Sequence, residues 1–244
     1  MMTGNKVKIL NVDFQNTTRE LLLNELTERI TKGDKTFVVT ANPEIVMYAN
    51  SDPEYLSIVN KSDYTIADGI GVIIGSKMLG TPLPERIPGF DLMQDLLETA
   101  NKNEWSVYLL GAKKDVIEKA VENVKERHPK LKLVGWNDGY FNWESSKVAD
   151  EIAKKQPDLI FVALGFPRQE MWIAKHFASF NKGLFMGVGG SFDVLSGHVK
   201  RSPEIWQKLH LEWFYRLLKQ PSRWRRMLAL PDFIIKVLFE KNKH

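Results

Sequence analysis

Short apolar runs alternate with amphipathic helical segments across residues 105–190, and this pattern admits few folds. The runs "WSVYLLG", "LKLVG", "DLIFVALG" and "GLFMGVGG" are almost continuously apolar, as strands buried on both faces are. Between the first two, Val116, Ala120 and Val124 recur at helical spacing and form one apolar stripe. The alternation predicts a parallel sheet covered by helices on both sides.

The N-terminal part has the same rhythm. "VKILNVDF", "TFVVT" and "YTIAD" are predicted strands, and "GFDLMQDLLETANKN" is a predicted helix. Thr17 with Glu20 forms a capping-box pattern at the start of another helix. Asn42 followed by Pro43 predicts an N-cap and a first helical residue.

We therefore expect a doubly wound, mainly parallel, Rossmann-like α/β domain over residues 1–195 and a helical appendage over residues 196–244. The net charge of the chain is +4, which mildly favours anionic partners. Basic residues clearly outnumber acidic ones from Lys200 onward, so this preference is concentrated in the predicted appendage.

Composition and missing motifs argue against several classes of function. The chain has no cysteine, so disulfides, thiolate metal sites and a cysteine nucleophile are excluded. It has no Walker phosphate loop and no G-x-S-x-G elbow, which argues against a P-loop NTPase and a serine hydrolase. Scattered histidines and the absence of an Asp-x-Asp pair predict no metal site. Without an apolar signal or spanning segment, we expect a cytoplasmic protein whose membrane contact is peripheral.

Two features place polar groups where strands of the predicted sheet end, which is where doubly wound folds bind ligands. Asp68 ends the strand "YTIA", a position that suits a general base, although it could equally cap the helix after Gly69. The turn "GVGGSFD" at residues 187–193 offers backbone N–H groups to an anion, or is simply a tight turn. Asp193 could bind a base or ribose, or cap the next turn.

Taken together, several segments resemble the WecG/TagA/CpsF glycosyltransferase family, and within it the N-acetylmannosaminyltransferases of wall teichoic acid synthesis. The matching segments are "TANPEIV" (40–46), "ADGIGV" (67–72), "ERIPGFDL" (85–92), "ALGFPRQEMW" (163–172) and "GVGGSFDVLSGHVKRSPEIWQ" (187–207). The tail signature of the family, "GLEWxYRLxxxPxRWRR", is matched by "HLEWFYRLLKQPSRWRR", with His210 in place of the first glycine. The resemblance spans almost the whole chain.

The resemblance implies an inverting transfer of N-acetylmannosamine from UDP-ManNAc to undecaprenyl-diphosphate-GlcNAc with a β-1,4 link, without metal or cofactor. Some members of the family use the uronic acid of the donor sugar instead. Asp68 would deprotonate the acceptor hydroxyl. Thr40 and Asn42 would bind the donor sugar or diphosphate, and Arg86 and Gln169 would meet the leaving diphosphate. The remaining donor-binding residues would be Gly165, Gly187, Gly189, Gly190 and Asp193.

The basic and aromatic tail has the composition of a segment that lies in a membrane interface. Trp206, Leu209, Trp213 and Leu217 recur at helical spacing, and packing onto the α/β domain would explain part of this stripe. A nucleic-acid grip is disfavoured because the aromatics follow the apolar face instead of forming a stacking platform. We expect the tail to dock on the inner leaflet of the cytoplasmic membrane. Three arginines would then reach a donor or acceptor diphosphate: Arg216, Arg223 and Arg226.

Two other classes of function compete with this interpretation. A nicotinamide-dependent oxidoreductase would share the fold class, but the first predicted strand is followed by "QNTT" without any glycine, whereas a dinucleotide fingerprint needs one there. A polyanion-binding module would use only the basic tail and would leave Asp68 unexplained. The sequence leaves open whether the protein forms a homo-oligomer.

Overall fold

The computed structural model describes residues 6–219, 221, 224 and 228–242. Its strands are β1 (Lys6–Ile9), β2 (Val12–Gln15), β3 (Lys35–Ala41), β4 (Tyr64–Ala67), β5 (Ser106–Gly111), β6 (Lys132–Asn137), β7 (Leu159–Ala163) and β8 (Gly183–Gly187). Its helices are α1 (Arg19–Lys32), α2 (Pro43–Ala49), α3 (Pro53–Asn60), α4 (Ile70–Met78), α5 (Gly89–Asn103), α6 (Lys114–Arg127), α7 (Lys147–Lys155), α8 (Arg168–His176), α9 (Ser191–Leu195), α10 (Glu204–Lys208), α11 (Glu212–Lys219) and α12 (Ala229–Lys241).

Within the described part of the chain, six strands form one parallel sheet in the order β4-β3-β8-β7-β5-β6. Helices α2, α3, α4, α7 and α8 bury their apolar residues in a core on one face of this sheet. Helices α1, α5, α6 and α9 form the core on the other face. The predicted doubly wound α/β fold is therefore confirmed.

The local signals for helices were largely informative. The Asn42 side chain caps α2 by accepting a hydrogen bond from the N–H of Ile45 at 3.0 Å, with Pro43 as the first helical residue. The residues predicted as the apolar stripe of α6 are all buried. The capping box was placed one residue too early, because Thr18, and not Thr17, accepts the hydrogen bond of the first turn of α1.

The prediction of one continuous strand at the start of the chain is wrong. "VKILNVDF" is an antiparallel hairpin of β1 and β2 and is not part of the main sheet. Leu10 and Asn11 between them have φ angles of 46° and 64°, the left-handed values that a two-residue hairpin turn needs. A β-branched or leucine-rich run gives no warning of such a turn, because Leu seldom adopts positive φ.

The C-terminal helix packs on the α/β domain. Phe233 and Val237 of α12 are fully buried in the core that α2 and α4 also form. A Cβ atom at Gly75 would lie 2.8 Å from the Phe233 ring, so glycine in α4 permits close packing of the two helices. The division of the chain at residues 195 and 196 coincides with the end of α9 and otherwise stays a prediction.

Candidate active site

The topology opens a crevice between two neighbouring strands. After β3 the chain turns to α2 on one face of the sheet, and after β8 it turns to α9 on the opposite face. Loops that leave adjacent parallel strands in opposite directions leave a gap at the carboxyl edge, the usual ligand site of doubly wound folds. Across this gap the buried Thr40 hydroxyl donates to the Gly187 carbonyl at 3.3 Å. Thr40 thus fixes the distance between the two loops.

Asp68 stands directly after β4, beside this crevice. Its backbone N–H donates to the Ala41 carbonyl at 3.0 Å, and its Oδ1 accepts from the Gly89 N–H at 3.0 Å. Gly89 is the first residue of α5, so the carboxylate faces the positive end of a helix. Helix α4 has no side-chain cap, since Gly69 occupies its N-cap. The alternative role of Asp68 as the cap of α4 is therefore wrong, and the residue holds the start of α5 instead.

Asn42 and Arg86 lie next to Asp68. A Cβ atom at Gly69 would lie 3.1 Å from the Asn42 Cβ, so the glycine lets the Asn42 loop approach the Asp68 loop. The N–H of Ile87 donates to the Ala67 carbonyl at 2.8 Å, which places Arg86 beside the end of β4. These contacts bring the backbones of Asp68, Asn42 and Arg86 close to one another.

Arg86 contacts the tail of the chain. Its guanidinium lies 2.6 Å from a carboxylate oxygen of Glu212, the first residue of α11. The other Glu212 oxygen accepts from the Ser202 hydroxyl at 3.2 Å and lies 3.8 Å from Arg201. Arg201 in turn pairs with Asp91 in the first turn of α5 at 2.6 Å. Ion pairs thus connect the tail to both Arg86 and the helix that Asp68 holds.

Gln169 lies on the other side of the crevice and is almost fully buried. Its Oε1 accepts from the Gly189 N–H at 3.0 Å, and its Nε2 donates to Glu170 Oε1 at 2.8 Å. A Cβ atom at Gly187 would lie 2.6 Å from Nε2. The glycine at position 187 is therefore required by the packing of the Gln169 amide, and not only by the turn that follows.

The remaining predicted donor residues frame the same edge. Gly165 has a φ of 76°, and its carbonyl accepts from the Gln169 N–H at 3.0 Å. Gly190 is the N-cap of α9, and a Cβ atom there would lie 3.5 Å from a carboxylate oxygen of Asp193. The Asp193 carbonyl accepts from the Val199 N–H at 2.9 Å. The 187–190 turn and Asp193 therefore form one compact rim of the crevice.

The three arginines predicted to bind a diphosphate cannot be placed. Arg223 and Arg226 lie outside the described residues, and for Arg216 only the backbone, within α11, is described. Among the residues that the structure describes, no group of three or more His, Cys, Asp or Glu side chains could hold a metal ion.

Sequence reasoning missed Glu170, Arg201 and Glu212. Glu170 is fully buried, and its burial raises the pKa of the carboxyl group to about 7. The available signal was a charged residue on an apolar helical stripe, because Glu170 precedes the buried Ile173 by three positions. Arg201 and Glu212 lie in segments that carried the family resemblance. Those segments alone give them no role, because their ion pairs join residues more than a hundred positions apart.

Comparisons with known proteins identify the family. The model of the "Glycosyl transferase WecG/TagA/CpsF family" matches residues 7–244. The chain belongs to this family. Proteins named N-acetylglucosaminyldiphosphoundecaprenol N-acetyl-beta-D-mannosaminyltransferase are similar to it over most of their length. The Bacillus spizizenii protein is 42% identical over 94% of this chain and 90% of its own. The Staphylococcus aureus MW2 protein is 41% identical over 98% of this chain and 94% of its own. The Bacillus subtilis 168 protein is 44% identical over 84% of this chain and 80% of its own.

This membership confirms the resemblance read from the motifs and the assignment to the glycosyltransferases. The segments that carried the resemblance include the ends of β3, β4, β7 and β8. The same four strands are neighbours in the sheet, so motifs that are far apart in the sequence meet at one crevice. The roles of the individual residues stay predictions.

Proposed function

We propose that this protein is an inverting glycosyltransferase that moves N-acetylmannosamine from UDP-ManNAc to undecaprenyl-diphosphate-GlcNAc and forms a β-1,4 link. The observation that carries the proposal is the similarity, at 41–44% identity over most of the chain, to transferases named for a mannosaminyl group and an N-acetylglucosaminyldiphosphoundecaprenol acceptor. The crevice between β3 and β8 supports it, because it gathers a carboxylate, amides, an arginine and a glycine turn at one edge of the sheet.

Asp68 serves as the general base in this proposal. It takes the proton of the acceptor hydroxyl, and the electron pair of that oxygen forms the new bond to the anomeric carbon of the donor. The bond from this carbon to the diphosphate oxygen breaks, and the electron pair leaves with UDP. The Gly89 N–H and the start of α5 hold Asp68 in one orientation and favour its ionised form, which a base requires.

Arg86 stabilises the negative charge that grows on the leaving diphosphate. A guanidinium has five N–H donors in a planar fork, so Arg86 can keep its contact with Glu212 and still donate to a phosphate oxygen. The pair is largely shielded from water, with 11% and 13% of the two side chains exposed. Glu212 therefore both holds Arg86 in place and makes its position depend on the docking of the tail.

The nucleoside end of the donor lies against the rim formed by the 187–190 turn and Asp193. Backbone N–H groups of glycine turns approach phosphate oxygens closely, since no side chain intervenes. Asp193 follows the turn within the first turn of α9, where its carboxylate can accept hydrogen bonds from ribose hydroxyls. Thr40 and Asn42 close the opposite side, toward the sugar.

The tail brings the enzyme to its lipid-linked acceptor at the inner leaflet of the cytoplasmic membrane. In the part of the chain that the structure covers, no helix is both long and apolar enough to cross a bilayer. Large apolar side chains nevertheless face solvent in this region, and basic residues accompany them. The exposed apolar residues are Ile205, Leu209, Phe214, Leu218, Trp224, Leu228, Ile235, Leu238 and Phe239. Such a surface suits insertion to headgroup depth, where the diphosphate of the acceptor lies.

A reconstituted transfer assay tests the proposal. The purified protein is incubated with undecaprenyl-diphosphate-GlcNAc in vesicles and, in parallel, with UDP-ManNAc, its uronic acid or UDP-GlcNAc. Mass spectrometry should detect a lipid-linked disaccharide with UDP-ManNAc, and NMR coupling constants should show the β configuration. Product from the uronic acid alone would assign the family's other donor to this protein. UDP should raise its melting temperature and NAD should not; the reverse result would favour an oxidoreductase.

A further inference from the structure

Glu170 is a buried ionisable residue to which the proposed reaction gives no task. It lies in α8 with no exposed surface. Within the described residues, neither its Oε2 atom nor the Tyr55 hydroxyl has a hydrogen-bond partner. Burial and then the charge of Glu170 raise the pKa of Tyr55. A carboxyl group in such surroundings costs stability that an apolar residue of the same size would not.

The neighbours of Gln169 permit only one orientation of its amide. The Gly189 N–H can only donate, so the oxygen of the amide must face it at 3.0 Å. The Glu170 Oε1 atom accepts, so the amide nitrogen must face it at 2.8 Å. Reversing the amide would break both bonds and would bring the NH2 group against the Gly189 N–H. Glu170 therefore decides, together with Gly189, which end of Gln169 points to the glycine turn.

The pair also packs directly on the end of β8. A Cβ atom at Gly187 would lie 2.6 Å from Gln169 Nε2 and 3.0 Å from Glu170 Oε1. These distances are shorter than normal contacts, so the two side chains occupy the space that a side chain at position 187 would need. The Gln169–Glu170 pair thus packs against the 187–190 turn. The Thr40 hydroxyl makes a separate contact with the turn by donating to the Gly187 carbonyl.

We propose that Glu170 is a positioning residue for the nucleotide donor: it orients the Gln169 amide, and through it the Gly189 N–H and the 187–190 turn. The proposal rests on the function proposed above and assigns to Glu170 an effect on donor binding without contact with the donor. The Gln169 nitrogen carries two hydrogens. Glu170 accepts one of them, and the fixed amide then presents the other to the diphosphate.

Three substitutions of Glu170 distinguish a role in orienting the Gln169 amide from a role in packing alone. Glu170→Gln keeps the shape and can still offer an oxygen to Gln169. Glu170→Met fills the same space without an acceptor, and Glu170→Asp keeps the carboxylate but is one methylene too short to reach Nε2. Tyr55→Phe is the matched control, because it removes a buried hydroxyl and leaves the contact between Glu170 Oε1 and Gln169 intact.

The first measurement is donor affinity, by calorimetry with UDP and by steady-state kinetics with UDP-ManNAc. Glu170→Met and Glu170→Asp should weaken UDP binding and raise the donor KM by roughly tenfold or more, with a smaller change in kcat. Glu170→Gln and Tyr55→Phe should stay within about threefold of wild type, because both keep the oriented amide. Folded Met and Asp variants with wild-type affinity, or a Gln variant as weak as Met, would overturn the proposal.

The second measurement needs no nucleotide, so it separates a failure of this inference from a failure of the proposed function. Hydrogen exchange of the Gly189 amide, followed by NMR without ligand, reports its bond to Gln169. We expect faster exchange in Glu170→Met and Glu170→Asp, and wild-type protection in Glu170→Gln. Because the Gln variant is isosteric, it tests the claim even if the other two do not fold. Loss of Gly189 protection in Glu170→Gln would refute it.

Discussion

Replacing Glu170 by glutamine should remove a pH-dependent loss of stability from this protein. Burial raises the pKa of the Glu170 carboxyl group from its ordinary value of 4.5 to about 7 in the folded protein. The Gln169 amide donates to this carboxyl group at 2.8 Å and only partly offsets the effect of burial on its pKa. Between these two pH values the folded chain keeps a proton that the unfolded chain releases.

The sign and size of the effect follow from proton linkage. Because the unfolded state binds fewer protons in this window, the free energy of unfolding falls as the pH rises from about 4.5 to about 7 and then levels off. Each pKa unit corresponds to roughly 1.4 kcal/mol, so the total loss is about 3 kcal/mol. An amide cannot ionise, and the Glu170→Gln variant should therefore gain about 3 kcal/mol over wild type between pH 4.5 and pH 8.

Urea unfolding at half-unit pH intervals, followed by circular dichroism, measures this difference. The control is Glu144→Gln, since 90% of the Glu144 side chain is exposed and its removal should leave the pH profile parallel to wild type. The reasoning is refuted if the wild-type and Glu170→Gln curves also run parallel from pH 5 to pH 8.

Three further predictions concern the metal, the tail and the backbone. Transfer should survive EDTA, because protein donors offset the charge of the leaving group; activity lost on chelation and restored by Mg²⁺ would contradict this. Leu238→Ser with Phe239→Ser, at side chains that are exposed, should weaken sedimentation with anionic vesicles by roughly tenfold or more and leave UDP affinity unchanged; unchanged sedimentation would argue against tail docking. His210 has a φ of 59°, so thermal unfolding should show His210→Val less stable than His210→Gly by about 1 to 2 kcal/mol; equal stability would be inconsistent with strain there.

The prediction for His210 connects a sequence motif with a backbone conformation. The tail signature on which the resemblance rests has glycine where this chain has His210, and the structure gives that residue a left-handed conformation. Glycine adopts this conformation without steric cost, and histidine does so less readily. The turn between α10 and α11 in this chain therefore suits glycine better than histidine.

Sequence patterns predicted the structural features that depend on residues close to one another in the chain. Apolar runs and helical stripes predicted the parallel sheet and its two layers. The motifs that carried the resemblance lie at the ends of β3, β4, β7 and β8, which are neighbours in the sheet. Strand order was not predictable, because it depends on contacts between distant segments. The hairpin of β1 and β2 was missed, since its turn is formed by Leu10 and Asn11 and contains neither glycine nor proline.

The long-range contacts that hold the site in place could not be predicted from the sequence either. Arg86 and Glu212 are 126 positions apart, and no periodicity connects them. Gly187 was taken as a residue that lets backbone approach a phosphate. In the structure its small size is required by the Gln169 amide, 2.6 Å from a Cβ atom built there. Such contacts exist only once the sheet has brought the loops together.

The role of Asp68 as the general base is decided by the transfer rate of the Asp68→Asn variant. Asparagine keeps the size of the side chain and an oxygen for the Gly89 N–H, which lies 3.0 Å from Asp68 Oδ1, so the variant should fold and bind UDP as wild type does. It cannot take the proton of the acceptor hydroxyl, and transfer of N-acetylmannosamine to undecaprenyl-diphosphate-GlcNAc should slow by roughly a hundredfold or more. Near-normal transfer by a variant that binds UDP normally would contradict the assignment of Asp68 as the base.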